Sequence, residues 1–133
     1  MARQRAGVWV LLLCAYLLLW VPLNFAALAN RALPSIEHRG QIAIVELGAH
    51  ALAAMLAAAA GWMLWVRNPA ARGFAAAAVV VNALVALQTL YASALPHDIS
   101  PGTAWPLGVL TVVHAAAWIV YLTRSPSFEP RDP

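Results

Sequence analysis

The sequence predicts an all-α fold: a transmembrane up-and-down four-helix bundle with both termini cytoplasmic. Three observations predict it. Charged residues divide the chain into four long apolar runs, Arg5 to Arg31, Arg39 to Arg67, Arg72 to Asp98 and Asp98 to Arg124, and only Glu46 interrupts one of them. Each run supplies the ~20 apolar residues that a helix needs to cross the hydrocarbon core. The composition agrees, with 63% hydrophobic and 10% charged residues over 133 positions and a mean hydropathy of +0.75. A soluble domain of this size needs more polar surface. The connections between runs are also too short for crossovers, so sequential helices must be antiparallel neighbours.

Helix 1 is expected at about 7–28. Pro22 sits late in it and should kink it by removing a backbone hydrogen bond. Cys14, the only cysteine, lies mid-run and has no partner for an intrachain disulfide, so it reads as a small buried apolar residue. An alternative start is a cleavable leader, with a basic end, a short apolar stretch and an A-x-A site at Ala27-Leu28-Ala29. That would leave three helices. The run through Ala29 is long enough to span, and three further spans follow it.

A loop is expected at 29–40, then helix 2 at about 41–66. Helix 2 is rich in small residues, Gly48, Ala49, Ala51, Ala53, Ala54, Ala57 to Ala60 and Gly61. Small residues let helix backbones approach closely in lipid, where van der Waals packing drives association. Ala54, Ala57, Ala58 and Gly61 continue the face that begins with Glu46 and His50, so that face is expected to be buried. Pro69, between Arg67 and Arg72, marks a tight turn. Helix 3 is expected at about 73–95, opening with Ala75 to Ala78 and ended by Pro96. Helix 4 is expected at about 104–123, with Thr103 as N-cap and Pro106 in the tolerant first turn.

All eight basic residues are arginine, which together with heavy alanine use suggests a GC-rich genome. Arg3, Arg5, Arg67, Arg72, Arg124 and Arg131 fall on one side of the predicted bundle, and Arg31 and Arg39 on the other. The positive-inside rule puts the first group in the cytoplasm. This is the pattern of a multi-pass protein of the bacterial inner (plasma) membrane. Trp20, Trp65, Trp105 and Tyr121 fall near predicted interfaces, as aromatic-belt residues do. The net charge of +3 does not signal nucleic acid, because the arginines stand singly or in pairs at span ends with no basic stripe. The expected surroundings are the lipid bilayer, with a larger membrane complex or a homo-oligomer as further partners.

Polar groups at membrane depth are costly and point inward. Glu46 and His50 share a face of helix 2. At ~1.5 Å of rise per residue, His50 lies ~13 Å and His114 ~15 Å from the outer ends of their helices; Gln88 lies ~10 Å in, Glu46 ~8 Å and Asn24 ~6 Å. One polar cluster in the outer half is therefore expected, and Asn82 adds a further buried polar group on helix 3. Such a cluster can be plain interhelical glue. Functionally, Glu46 and His50 could relay a proton, since both titrate. His50 and His114 at matched depth could instead ligate a b-type haem. A metal site has no local ligand motif behind it. His38, beside Glu37 and Arg39, and His97, beside Asp98, read as solvated loop residues. No nucleophile elbow, phosphate loop, HExxH or CxxC is present, and Ser35, Ser93, Ser100, Ser125 and Ser127 have no base in a motif, so no catalytic residue is assigned. The expected role is an accessory or assembly subunit, or a stand-alone protein, without a cofactor; the alternatives are a redox or proton-handling module and a small-solute carrier.

Gly7-Val8-Trp9-Val10-Leu11, Pro22, Ile44-Val45-Glu46-Leu47 and Ala116-Ala117-Trp118-Ile119-Val120-Tyr121-Leu122 followed by Ser125 together resemble the bacterial inner-membrane family of domain of unknown function 2569. The chain departs from that pattern at Gln88, where an acidic residue is expected, and in the tail at 126–130. The resemblance implies a four-span fold and no defined activity, cofactor or site.

Overall fold

The computed structural model describes residues 7–96, 99–100 and 102–125. Among these there are four helices long and apolar enough to cross a membrane, and no strand: α1 (Val8–Arg39), α2 (Gln41–Trp65), α3 (Ala71–Ala92) and α4 (Ala104–Arg124). Each packs on its sequence neighbours, and α1 and α4 approach each other far less than these pairs do. Cross-helix contacts fix the alternating sense. Glu46, early in α2, bonds Ser93 just past α3, and Arg72, early in α3, bonds the carbonyl of Thr123 at the end of α4.

The interior is rich in small residues on α2 and α3, with Leu13 and Leu17 of α1 and Leu122 of α4 buried beside them. Ala53, Ala57, Ala60, Ala71, Ala75 and Ala78 are essentially inaccessible, while Trp9, Leu19, Leu52, Met55, Trp62 and Trp105 stand exposed. This reverses the distribution of a soluble bundle and matches packing in lipid, where close backbone approach substitutes for apolar burial. Gly61 marks a close approach of α2 to the backbone of α1: a Cβ there would lie 2.7 Å from Leu18 Cγ and 3.2 Å from the Leu18 backbone nitrogen.

α1 extends well past the expected limit of 28. The stretch expected as a loop at 29–40 is helical to Arg39, passing through one 3₁₀ turn at Leu33–Ser35. Pro34 sits in the first turn of that segment, where its missing N–H costs nothing, so it does not end the helix. The break comes at Gly40, whose φ of +81° is a conformation that side-chain-bearing residues avoid. At ~1.5 Å per residue, α1 is ~48 Å long, beyond the ~30 Å hydrocarbon core. Glu37 and His38 are exposed on its last turn.

Inside α1 the expected kink takes a specific form. Tyr16–Trp20 is a π-helical turn, in which Val21 N–H reaches back five residues to the carbonyl of Tyr16. Pro22 follows directly, with no N–H to offer its own i−4 carbonyl, and widening the preceding turn accommodates that loss.

α2 ends at Trp65 in a Schellman closure: Asn68 N–H bonds Met63 O at 2.9 Å and Arg67 N–H bonds Leu64 O at 3.2 Å. Arg67 takes the left-handed conformation, φ 56°, usually left to glycine. α3 stops at Ala92, three residues before its expected end, because the backbone turns extended at Ser93. Pro96 therefore lies beyond the helix end rather than causing it. Thr103 does occupy the N-cap position of α4, but its hydroxyl bonds Ser100 O instead of capping the helix. Arg3, Arg5, His97, Asp98, Ser127 and Arg131 lie outside the described residues.

Candidate functional site

Two polar arrangements occupy the bundle, and they adjoin at His50 and Asn82. The first is a latch at the Gly40 end of α2. Glu46, 6% exposed, is the one buried charged residue among those described. Its Oε1 accepts a 2.5 Å bond from the Ser93 hydroxyl and its Oε2 accepts the Ala94 backbone N–H at 2.8 Å. The Ser93 hydroxyl oxygen in turn accepts Leu95 N–H at 3.0 Å. The segment leaving α3 therefore has its backbone donors satisfied by side chains, as burial demands. Arg39 donates to Ala94 O at 3.1 Å, and Leu95 is buried against Ala32 and Ala43 at the α1–α2 corner.

His50, one turn along α2, uses both ring nitrogens. Nδ1 lies 2.9 Å from the backbone carbonyl of Glu46 and Nε2 lies 2.8 Å from Thr89 Oγ1 on α3. A carbonyl only accepts, so Nδ1 carries a proton and donates to Glu46 O, while Nε2 pairs with a Thr89 hydroxyl that also lies 3.0 Å from Val85 O of its own helix. The link between Glu46 and His50 thus runs through backbone, not through the carboxyl group. Asn82 joins the same two helices: its Nδ2 donates to Ala53 O at 3.1 Å and to Ala78 O at 2.8 Å.

The second arrangement is a cleft between α1 and α4, floored by α3, where α1 and α4 approach each other least. It has two adjoining lobes of about 470 and 390 Å³ that share Tyr16, Trp20, Asn82, Ala86 and Thr111 in their walls. His114 lines one lobe and His50 the other. His114 Nε2 accepts the indole N–H of Trp118 at 2.9 Å, and the edge of its ring meets Tyr16 with centroids 4.9 Å apart.

The residues expected to converge are thus divided. Glu46 and His50 adjoin at the latch and the α2–α3 seam. His114 stands across the cleft. Asn24 folds its amide back onto Trp20 O at 2.8 Å on an exposed face, and Gln88 bonds Ala92 O at 3.3 Å within its own helix, also exposed. Cys14 is a buried free thiol in the main core. Ser93, Thr89 and Tyr16 escape a sequence reading. Single hydroxyl groups in apolar runs carry little signal, and the Glu46 and His50 partners of Ser93 and Thr89 come from another helix.

Thr89 engages His50 Nε2 and Trp118 engages His114 Nε2, so the two imidazoles expected as haem ligands each hold a hydrogen-bond partner on that nitrogen. No group of three or more metal-ligating side chains is present among the described residues. Comparison with protein-family models, with curated proteins and with solved structures finds no match to this chain.

Proposed function

We infer that this chain is a non-catalytic, multi-pass protein of the bacterial inner membrane, with both termini in the cytoplasm, that serves as an accessory or assembly subunit of a larger membrane complex. One observation carries the non-catalytic reading. The titratable pair on α2 is committed to the chain's own packing: both carboxyl oxygens of Glu46 and both nitrogens of His50 bond the chain itself. Catalytic acids and bases instead aim an atom at a place where substrate can sit. The alanine-rich interior and the exterior of leucine, valine and tryptophan support placement in lipid.

Orientation rests on arginine. Arg67, Arg72 and Arg124 gather at the α2–α3 turn and the end of α4, with Arg31 and Arg39 at the opposite end of the bundle. Membership of the family of domain of unknown function 2569 belongs to the same proposal and rests on the sequence resemblance alone.

Purification from native membranes in mild detergent, followed by mass spectrometry of co-purifying chains, tests the role. Stoichiometric partners are expected, and isolation as a lone monomer overturns it. Labelling of a single cysteine placed at either terminus, in a Cys14→Ala background, tests the orientation; access from the periplasm overturns it.

A further inference from the structure

The cleft between α1 and α4 is lined by hydrocarbon and by a few polar groups of defined sense. The Tyr16 hydroxyl has no hydrogen-bond partner among the described residues, and no polar side-chain atom there is both buried and unsatisfied, so it is accessible on a residue that lines both lobes of the cleft. Asn82 has committed its N–H groups to Ala53 O and Ala78 O. Its Oδ1 has no partner among the described residues and faces the same cleft. Tyr16 O–H as donor and Asn82 Oδ1 as acceptor thus belong to residues that line both lobes, whereas Asn24, which spends its Nδ2 on Trp20 O, lines only one. The π turn of α1 contributes to this directly, since Tyr16 and Trp20 stand at its two ends and both line the cleft.

Volume and lining point to the kind of occupant. The lobes match the ~300–1,000 Å³ of small-molecule sites, which combine apolar walls with few polar groups. Charge narrows the choice further. No arginine, aspartate or glutamate lines either lobe, so an anionic head would have no counter-charge in a low-dielectric setting.

We propose that the cleft binds one neutral lipophile headed by a hydroxyl group, which accepts from Tyr16 O–H and donates to Asn82 Oδ1. A hydroxyl meets both needs at once, whereas a carbonyl answers Tyr16 and leaves Asn82 unpaired. The hydrocarbon lies along Trp20 and Ala86. The site stands independently of the subunit role inferred above. Two membrane sources carry this chemistry, isoprenoid alcohols and diacylglycerols.

Equilibrium binding of radiolabelled farnesol to the full chain in detergent tests the site, with farnesal and farnesoic acid as competitors of the same carbon skeleton. One farnesol per chain is expected, with the aldehyde roughly fivefold weaker, as for one hydrogen bond, and the acid weaker again. Tyr16→Phe removes an oxygen that touches no protein acceptor. It should weaken alcohol and aldehyde alike by roughly fivefold and leave the preference between them, which Asn82 sets. Ala86→Phe should fill the cleft and abolish binding. Competition by dioctanoylglycerol assigns the diacylglycerol source, and its failure to compete while geranylgeraniol does assigns the isoprenoid source. Equal binding of alcohol, aldehyde and acid, or farnesol binding indifferent to both Tyr16→Phe and Ala86→Phe, overturns the proposal.

Discussion

Arg39 and Glu46, on either side of Gly40, hold opposite ends of one residue: the guanidinium donates to the carbonyl of Ala94 at 3.1 Å and the carboxyl group accepts its N–H at 2.8 Å. The α1–α2 corner thereby grips the exit of α3, and Leu95 fills the space behind it. The two grips differ in strength because Glu46 is buried and Arg39 exposed.

Glu46→Gln should cost about 1–2 kcal/mol, since the amide keeps one acceptor oxygen and sets a second donor against donors already there. Ser93→Ala should cost about 1 kcal/mol, and adding it to Glu46→Gln should cost less than the sum, because the two share a bond. Arg39→Ala should cost only about 0.5 kcal/mol. Reversible unfolding in mixed micelles measures all four proteins. Equal losses for Glu46→Gln and Arg39→Ala would show that burial does not rank these contacts.

Thr89 and Thr111 separate a cross-helix bond from a local one. Thr89 Oγ1 meets His50 Nε2 at 2.8 Å, whereas Thr111 Oγ1 bonds only its own helix at Leu107 O, also 2.8 Å. Thr89→Val keeps the shape and strips the partner from a half-buried ring nitrogen, so a loss of about 1 kcal/mol is expected. Thr111→Val should change stability by less than about 0.5 kcal/mol. The same micelle assay reads both, and a silent Thr89→Val would remove His50 from the α2–α3 seam.

The spans are legible in the sequence because apolar length is a strong signal, and α2 and α4 begin and end within one residue of their expected limits. The connections are less so. The polar stretch at 29–40 resembles a loop in composition, yet Pro34 fits a helical first turn, and Gly40 alone supplies the break. A polar cluster inferred from depth rests on rise per residue, which fixes level but not azimuth. Gln88 shares a level with His50 and still bonds within its own exposed face. Ser93 falls in the last turn of helix 3 by apolar length. Only the unwinding after Ala92 turns its hydroxyl and the next N–H toward Glu46.

Tyr91 and Gly108 show how a glycine on α4 depends on one side chain. A Cβ at Gly108 would collide with the Tyr91 hydroxyl, which reaches Ala104 O at 3.3 Å. Tyr91 is exposed and free to swing aside, so Gly108→Ala should cost less than about 1 kcal/mol, through the lost hydrogen bond. With Tyr91→Ala as background, the same change should become neutral or stabilising by up to about 1 kcal/mol, because alanine is the better helix former. A thermal shift of unchanged sign in the two backgrounds would place the obstruction elsewhere.

Two glycines of α2 should respond oppositely to the same substitution. A Cβ added at Gly48 would meet nothing within 4 Å, so Gly48→Ala should gain up to about 1 kcal/mol in helix propensity. At Gly61 the added carbon would meet Leu17 Cβ at 3.1 Å and the backbone nitrogen of Leu18 at 3.2 Å. Backbone cannot yield as a side-chain tip does, so Gly61→Ala must push α1 from α2 and should cost about 1–3 kcal/mol. The displaced segment is the π turn that carries Tyr16 and Trp20, so Gly61→Ala should also weaken farnesol binding while Gly48→Ala leaves it unchanged. Unfolding midpoints and the binding isotherm, taken on the same two preparations, check both halves. A Gly61→Ala protein as stable as Gly48→Ala would mean that α1 and α2 do not meet along this face.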